Sequence, residues 1–295
     1  MCIRDRPLTA RQLAALLAAH QRDPAPRIGG EERAAVTTAE VPDALHGGRI
    51  VARFRPAVDL ATGSVSGAEA TPGWHDPAKG WIGPAAFIVA LEAEGLVRDY
   101  TEHVFGLACA DAREFARAGL DIDVKVTLPG GSLGDAGLAD RFAEIAGERD
   151  ADPRRIVCGI GQQSLKRDAA GLAALVRLRL KGFGVSVEDI GTIHASAEQL
   201  ASLPLTAIKI AASVVSGAAG DARRIAALEE ALDLARGLGL VVTAAGCDSA
   251  ADFGLLQQLG CRHAEGAFIA DAMTGGELAA WAGRWSPPSV LGEPA

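Results

Sequence analysis

The chain has 295 residues, 49% of them apolar and 22% charged, so it can bury a full core and is excluded from the disordered class. A net charge of −8 and a sequence pI near 5.3 argue against nucleic acid or an anionic membrane as partner, since each wants a basic face. No apolar run reaches the ~18 residues of a membrane span, no signal peptide is legible, and five scattered cysteines without a C-x-x-C pair read as free thiols in a reducing cytoplasm.

Residues 1–21 predict one amphipathic helix, with Pro7 near its start, Thr9 as a cap, and Leu13, Leu16 and Leu17 on one face. A Pro/Arg/Gly/Glu-rich linker follows over 22–41. Two readings stand for the helix: the tail of an upstream domain, or an extra helix packed on the outside of the main domain. From residue 50 onward, strand-like and helix-like stretches alternate. Strands are expected at 50–56, 64–71, 122–128, 155–160, 183–188, 206–210, 239–244 and 262–268. Helices are expected at 84–94 (Pro84 entry, Gly95 exit), 98–118, 168–181, 195–202, 221–237 and 249–259. In 168–181 the residues Leu172, Leu175, Val176 and Leu180 recur at helical spacing and are assigned to the core. This alternation points to an α/β fold: a TIM-like (β/α)8 barrel over 42–285 with a tail at 286–295, or, as runner-up, a doubly wound open sheet.

The segment VSVEDIGT at 185–192 ends a β-branched run in two adjacent carboxylates, Glu188 and Asp189, before a Gly191 turn. Strand-end side chains point into the mouth of a parallel α/β fold, and paired acids there suit a hard divalent cation. Lys209 follows on the next expected strand. Structural readings stand beside each of these. A strand-end carboxylate also accepts loop N–H bonds or pairs with a lysine; Trp74 and Trp81 read as core or rim packing; and Cys158 should alternate toward the helices, which argues against a zinc site with His194 or Cys247.

The order of short motifs resembles the EAL-domain family of cyclic-di-GMP phosphodiesterases. FRPAVDLATGSVSGAEATPGW (54–74) is similar to the family opening and PAAFIVALEAEGL (84–96) to its first helix. EDIGT (188–192) stands at the Asp-Asp-Phe-Gly-Thr-Gly motif and LPLTAIKIA (203–211) at the Leu-Pro-to-Lys-Ile-Asp segment. LGLVVTAAGCDS (238–249) and LGCRHAEGAFIADAM (259–273) resemble the closing motifs. The resemblance implies a barrel with one reversed strand. It also implies Mg²⁺ or Mn²⁺ held by Glu69, Glu188 and Asp189 if activity remains, and Lys209 orienting the attacking water. Against it, Thr127 stands at the metal-binding asparagine, Gly159 and Gln162 replace both glutamates of the Glu-x-Thr-Glu strand end, and Ala245 replaces a candidate general base. Gly73 replaces a phosphate-binding arginine, Thr71 replaces a leucine, and Arg55 and Glu265 replace two glutamines. The step at Arg6-Pro7 resembles the entry to the last helix of a response-regulator receiver domain.

Three losses of this kind, at the 10–100-fold each that removing a supporting partner costs, compound to roughly 10³-fold or more. The expectation is therefore a degenerate, non-catalytic EAL-like signalling domain. It would need no cofactor, act through an unidentified protein partner or as a homodimer in a cyclic-di-GMP or two-component pathway, and have doubtful affinity for cyclic di-GMP. The alternative is a cyclic-di-GMP phosphodiesterase yielding the linear dinucleotide, or a cyclic-di-GMP receptor.

Overall fold

Strand periodicity alone nearly draws the sheet. The computed structural model describes residues 36–164, 169–192 and 197–288. The strands are β1 (Ile50–Asp59), β2 (Val65–Asp76), β3 (Gly80–Ile82), β4 (Asp123–Leu128), β5 (Ile156–Gly161), β6 (Gly184–Ile190), β7 (Ala207–Ile210), β8 (Val241–Ala245) and β9 (His263–Glu265). Helices α1 (Glu40–His46), α2 (Ile88–Ala93), α3 (Val97–Arg117), α4 (Leu138–Glu148), α5 (Ala169–Leu180), α6 (Ala197–Ala201), α7 (Ala212–Val215), α8 (Ala222–Leu238), α9 (Ala250–Gln258) and α10 (Gly275–Ala282) lie between and beyond them.

Eight strands close a barrel in the order β1-β9-β8-β7-β6-β5-β4-β2, with β1–β2 pairing joining the ends and β3 appended to β2. β1 runs antiparallel to both its neighbours, and the pairs from β2 through β4 and onward to β9 are parallel. The expected α/β barrel with one reversed strand is thus the observed architecture, and the open-sheet alternative falls. Strand ends match the expected ranges to within five residues, the largest difference being β2, which runs on to Asp76 and carries β3.

Local sequence explains several boundaries. Asp221 caps α8 by accepting from the amides of Arg223 and Arg224, and Gly239 ends it at φ 66°, a left-handed turn that glycine tolerates best. Thr274 and Glu277 form a reciprocal capping box on α10. The expected helix at 84–94 is instead a 3₁₀ turn, Pro84–Ala86, followed by α2. Phe87 breaks it at φ −126°, because its ring is buried edge-on between Trp74 and Tyr100.

Two other expectations change. Residues Glu40 and Val41 belong to α1 rather than to a linker; the helix expected over 1–21 lies outside the described residues. On α5 the buried residues are Gly171, Ala174, Leu175 and Leu178, while Leu172, Val176 and Leu180 face outward at 42%, 40% and 80% exposure. The segment is apolar at nearly every position, so spacing cannot select a face. The inner face combines Gly171 and Ala174 with Leu175 and Leu178, and the outer face carries both alanines and leucines. Cys158 sits in the helix-side core with Cys109, as strand alternation predicts.

Candidate functional site

Inward-facing positions of five strands converge inside the barrel. β2 contributes Glu69, β4 Lys125 and Thr127, β6 Glu188, β7 Lys209 and β9 Glu265. The Lys209 ammonium is ion-paired with Glu69, lies 2.6 Å from Glu265 Oε1 and 3.7 Å from Glu188 Oε2. Lys125 Nζ is 3.3 Å from the same Glu188 oxygen. Two further oxygens are engaged by hydroxyls: Ser186 Oγ donates to Glu188 Oε1 at 2.8 Å, and Thr127 Oγ1 reaches Glu69 Oε1 at 3.4 Å. Side-chain exposure is 12% for Lys209, 13% for Lys125 and 5% for Glu188, so these charges face one another and not bulk water.

Burial alone would disfavour every ion here, but proximity reverses that for two groups. Burial lowers the Lys209 pKa, yet the carboxylates of Glu265, Glu69 and Glu188 outweigh it and hold the ammonium well above the ordinary range. Burial likewise opposes ionisation of Glu69, but the Lys125 and Lys209 ammoniums prevail and keep its carboxyl far below the usual value. For Glu265, burial and then the neighbouring Glu69 charge push the pKa up. One acid of the trio therefore takes a proton more readily than the others.

Asp189 stands beside this cluster, not in it. It is exposed, with φ 62°, where the β6–β7 register shifts between Val187 and Ile190. The protein atoms packed around its carboxyl strip part of its hydration and, with the adjacent Glu188, raise its pKa. A positive φ at a non-glycine residue is tolerated best by Asp and Asn, and a register irregularity of this kind re-aims the flanking side chains. Glu188 and Asp189, adjacent in sequence, are thus separated in role. His194 lies outside the described residues.

Beside two glycines that the resemblance reads as departures, another side chain fills the space. A Cβ on Gly159 would lie 2.9 Å from Glu188 Oε1 and 3.2 Å from its Cγ, so the longer acid at 188 folds over the position that residue 159 would fill. A Cβ on Gly73 would lie 2.1 Å from the Trp81 ring, and that indole is covered in turn by Arg53 at 4.6 Å. Trp74 is buried in the core and Trp81 packs at the rim. Ala245 pairs in register with Glu265, and Gln162 is buried in the turn after β5. Arg55 sits opposite Glu69 in the β1–β2 register, and its buried Nε has no hydrogen-bond partner. Beneath the cluster, a cavity of about 170 Å³ opens at the amino ends of the strands, past Asp123, Thr206 and His263.

Two Mg²⁺ or Mn²⁺ ions would need several carboxylates free to bridge them. Each of the three buried carboxylates is already turned toward an ammonium, and Gly159 and Ala245 carry no donor. Among the described residues no three Asp, Glu, His or Cys side chains are placed to hold an ion. The residues present do not fit the metal pair that the resemblance implies.

Sequence reasoning did not single out Lys125 or Ser186, and it read Glu265 only as a replaced glutamine, not as a partner of Lys209. The signal was present: in DVKVTL, Val124, Val126 and Leu128 are buried toward the helices, which leaves Lys125 and Thr127 facing inward.

The comparisons come to the same fold. A family model described as "EAL domain" matches residues 38–272. The chain is 29% identical over 232 residues to "Cyclic di-GMP phosphodiesterase PA2567" of Pseudomonas aeruginosa, covering 78% of this chain and 40% of that protein. It is 28% identical over 272 residues to "Cyclic di-GMP phosphodiesterase RocR" of the same organism, covering 91% of this chain and 69% of that one. Among solved structures, the PaMucR phosphodiesterase in complex with c-di-GMP superposes with a TM-score of 0.77 at 28% identity, covering 81% of this chain and 98% of that chain. The FimX EAL domain of Pseudomonas aeruginosa bound to c-di-GMP, at 18% identity and a TM-score of 0.70 over 80% of this chain and 95% of that one, shares the fold.

Proposed function

The chain belongs to the EAL domain family, and from that premise we propose that it is a degenerate, non-catalytic member, acting through protein contacts in a cyclic-di-GMP or two-component signalling pathway. One observation carries this reading. The carboxylates that would gather metal in the barrel mouth are closed on Lys209 and Lys125. Metal-assisted hydrolysis of a phosphodiester needs anionic ligands that lower the pKa of a bound water and clamp the attacking and leaving oxygens. Neutral or absent side chains at Thr127, Gly159, Gln162 and Ala245 supply none of that charge. Trp81 over Gly73 further occupies the place of a guanidinium that would grip a phosphate. In this reading Glu69, Glu188, Asp189 and Lys209 are vestiges held in place by their mutual pairing.

A second reading is favoured by the relatives. Two curated matches bear the name of cyclic di-GMP phosphodiesterase, and a solved relative holds c-di-GMP. On that reading the domain hydrolyses or binds the same dinucleotide. Calorimetric titration of the purified chain with cyclic di-GMP, with and without Mg²⁺ or Mn²⁺, separates the two when coupled to chromatography for the linear product. Absence of both heat and product supports the non-catalytic signalling domain. Micromolar binding without product supports a receptor, and metal-dependent product overturns the proposal.

A further inference from the structure

We propose that Lys125 is a built-in counter-ion that takes the electrostatic place of a divalent cation in the barrel mouth, so that the domain folds and holds its mouth closed without metal. The inference starts from strand alternation. A lysine on the inward face of β4 projects its ammonium into the barrel, where a small side chain would leave the Glu188 carboxylate with one cation fewer. The geometry is specific. Glu188 Oε2 lies between Lys125 at 3.3 Å and Lys209 at 3.7 Å, while its other oxygen takes the Ser186 hydroxyl. Glu69 and Glu265 close on the far side of Lys209.

A doubly charged ion entering this space would meet two ammoniums and would find each carboxylate already paired. Removing one member of a buried pair leaves an uncompensated charge, and that charge attracts any available cation. The cluster also explains Gly159. Glu188 can reach Lys125 only by folding over residue 159, where any Cβ would press on it. The lost side chain at 159, the longer acid at 188 and the lysine at 125 therefore form one exchange of a metal ligand set for an ion-pair set.

This deepens the non-catalytic reading of the same mouth and rests on it, but its test is ion binding and not dinucleotide turnover. Mn²⁺ is titrated into the full chain and followed by the free-ion electron paramagnetic resonance signal, with melting temperature read in EDTA and in about 1 mM Mn²⁺. The wild type is expected to take up no Mn²⁺ and to melt at the same temperature in both. Lys125→Ala, which keeps all three carboxylates, is expected to melt lower in EDTA and to recover roughly 3 °C or more in Mn²⁺, with uptake of the ion. If Lys125→Ala does not fold in either condition, Lys125→Met combined with Glu188→Gln decides. A double variant melting above Lys125→Met alone supports the counter-ion role, and one melting no higher overturns it. Wild-type uptake of Mn²⁺ without turnover of cyclic di-GMP would overturn this proposal and leave the non-catalytic reading standing, as would a folded Lys125→Ala that binds no more Mn²⁺ than the wild type. Turnover by the wild type would sink the reading beneath it.

Discussion

Adding one methyl group at Gly159 tests whether the mouth has been repacked. The added Cβ would meet Glu188 Oε1 at 2.9 Å, Cδ at 3.1 Å and Cγ at 3.2 Å. The acid cannot swing aside freely, because it is 4% exposed and is tied to Ser186, Lys125 and Lys209. Overpacking of this kind costs about 1–3 kcal/mol, offset by ~0.4–1 kcal/mol because alanine restricts the unfolded chain more than glycine does. Gly159→Ala should therefore destabilise by roughly 1–2 kcal/mol, a fall of about 2–8 °C in melting temperature for a domain of this size. Glu188→Asp removes the Cδ and Oε1 contacts and leaves only the Cγ contact, so in that background the same substitution should cost at least ~0.5 kcal/mol less. Thermal unfolding followed by circular dichroism over the four-member cycle reads both terms. A Gly159→Ala chain as stable as wild type, or a cost unchanged by Glu188→Asp, would refute the argument that the two positions share one volume.

The displaced indole gives a related expectation. Gly73→Arg should expel Trp81 from its seat under Arg53, red-shifting the tryptophan emission relative to a Trp81→Phe control, with no gain in phosphate affinity while Trp81 remains in β3. On α5, Leu180→Ser should change stability by less than ~0.5 kcal/mol, whereas Leu175→Ala should cost about 2–5 kcal/mol, as denaturant titration will report. Asp59 tests the acid limb of stability. Burial opposes its ionisation, but the amides of Thr62 and Ala61 and the Arg262 guanidinium hold its pKa below the ordinary 3.8. Its contribution is therefore present above 3.8 and is lost as pH falls through the lower folded value, so Asp59→Asn should be less stable than wild type at pH 7 and converge on it once pH is below that folded value.

Much of the barrel could be read from the chain because strands and helices differ in period. Eight apolar runs of strand length, separated by helices with Pro entries and Gly exits, leave few architectures. The reversed direction of β1 came from resemblance to a family, since a strand's period carries no sense of direction. Helix α4 was not expected although Leu138, Phe142 and Ile145 lie on one face, and β3 is too short for any period to register. The outward face of α5 was misassigned because an almost uniformly apolar helix has no moment to read. Within the mouth, residue identity named only the positions that depart from the motifs the chain resembles. It could not show that Glu188 and Trp81 fill the space beside Gly159 and Gly73, because those contacts join residues 29 and 8 positions apart through the fold.

Closure of the barrel by an antiparallel strand has a kinetic consequence. β1 finds β2 across a short hairpin, whereas its other edge meets β9 through only two register pairs, Val58 with Ala264 and Asp59 with His263, about 200 residues away. The entropy of bringing such distant segments together must be met before those few hydrogen bonds repay it. The seam between the first and last strands should accordingly zip late during folding. It should also be where amide protons in the sheet first exchange with deuterium, with the central parallel strands protected longest.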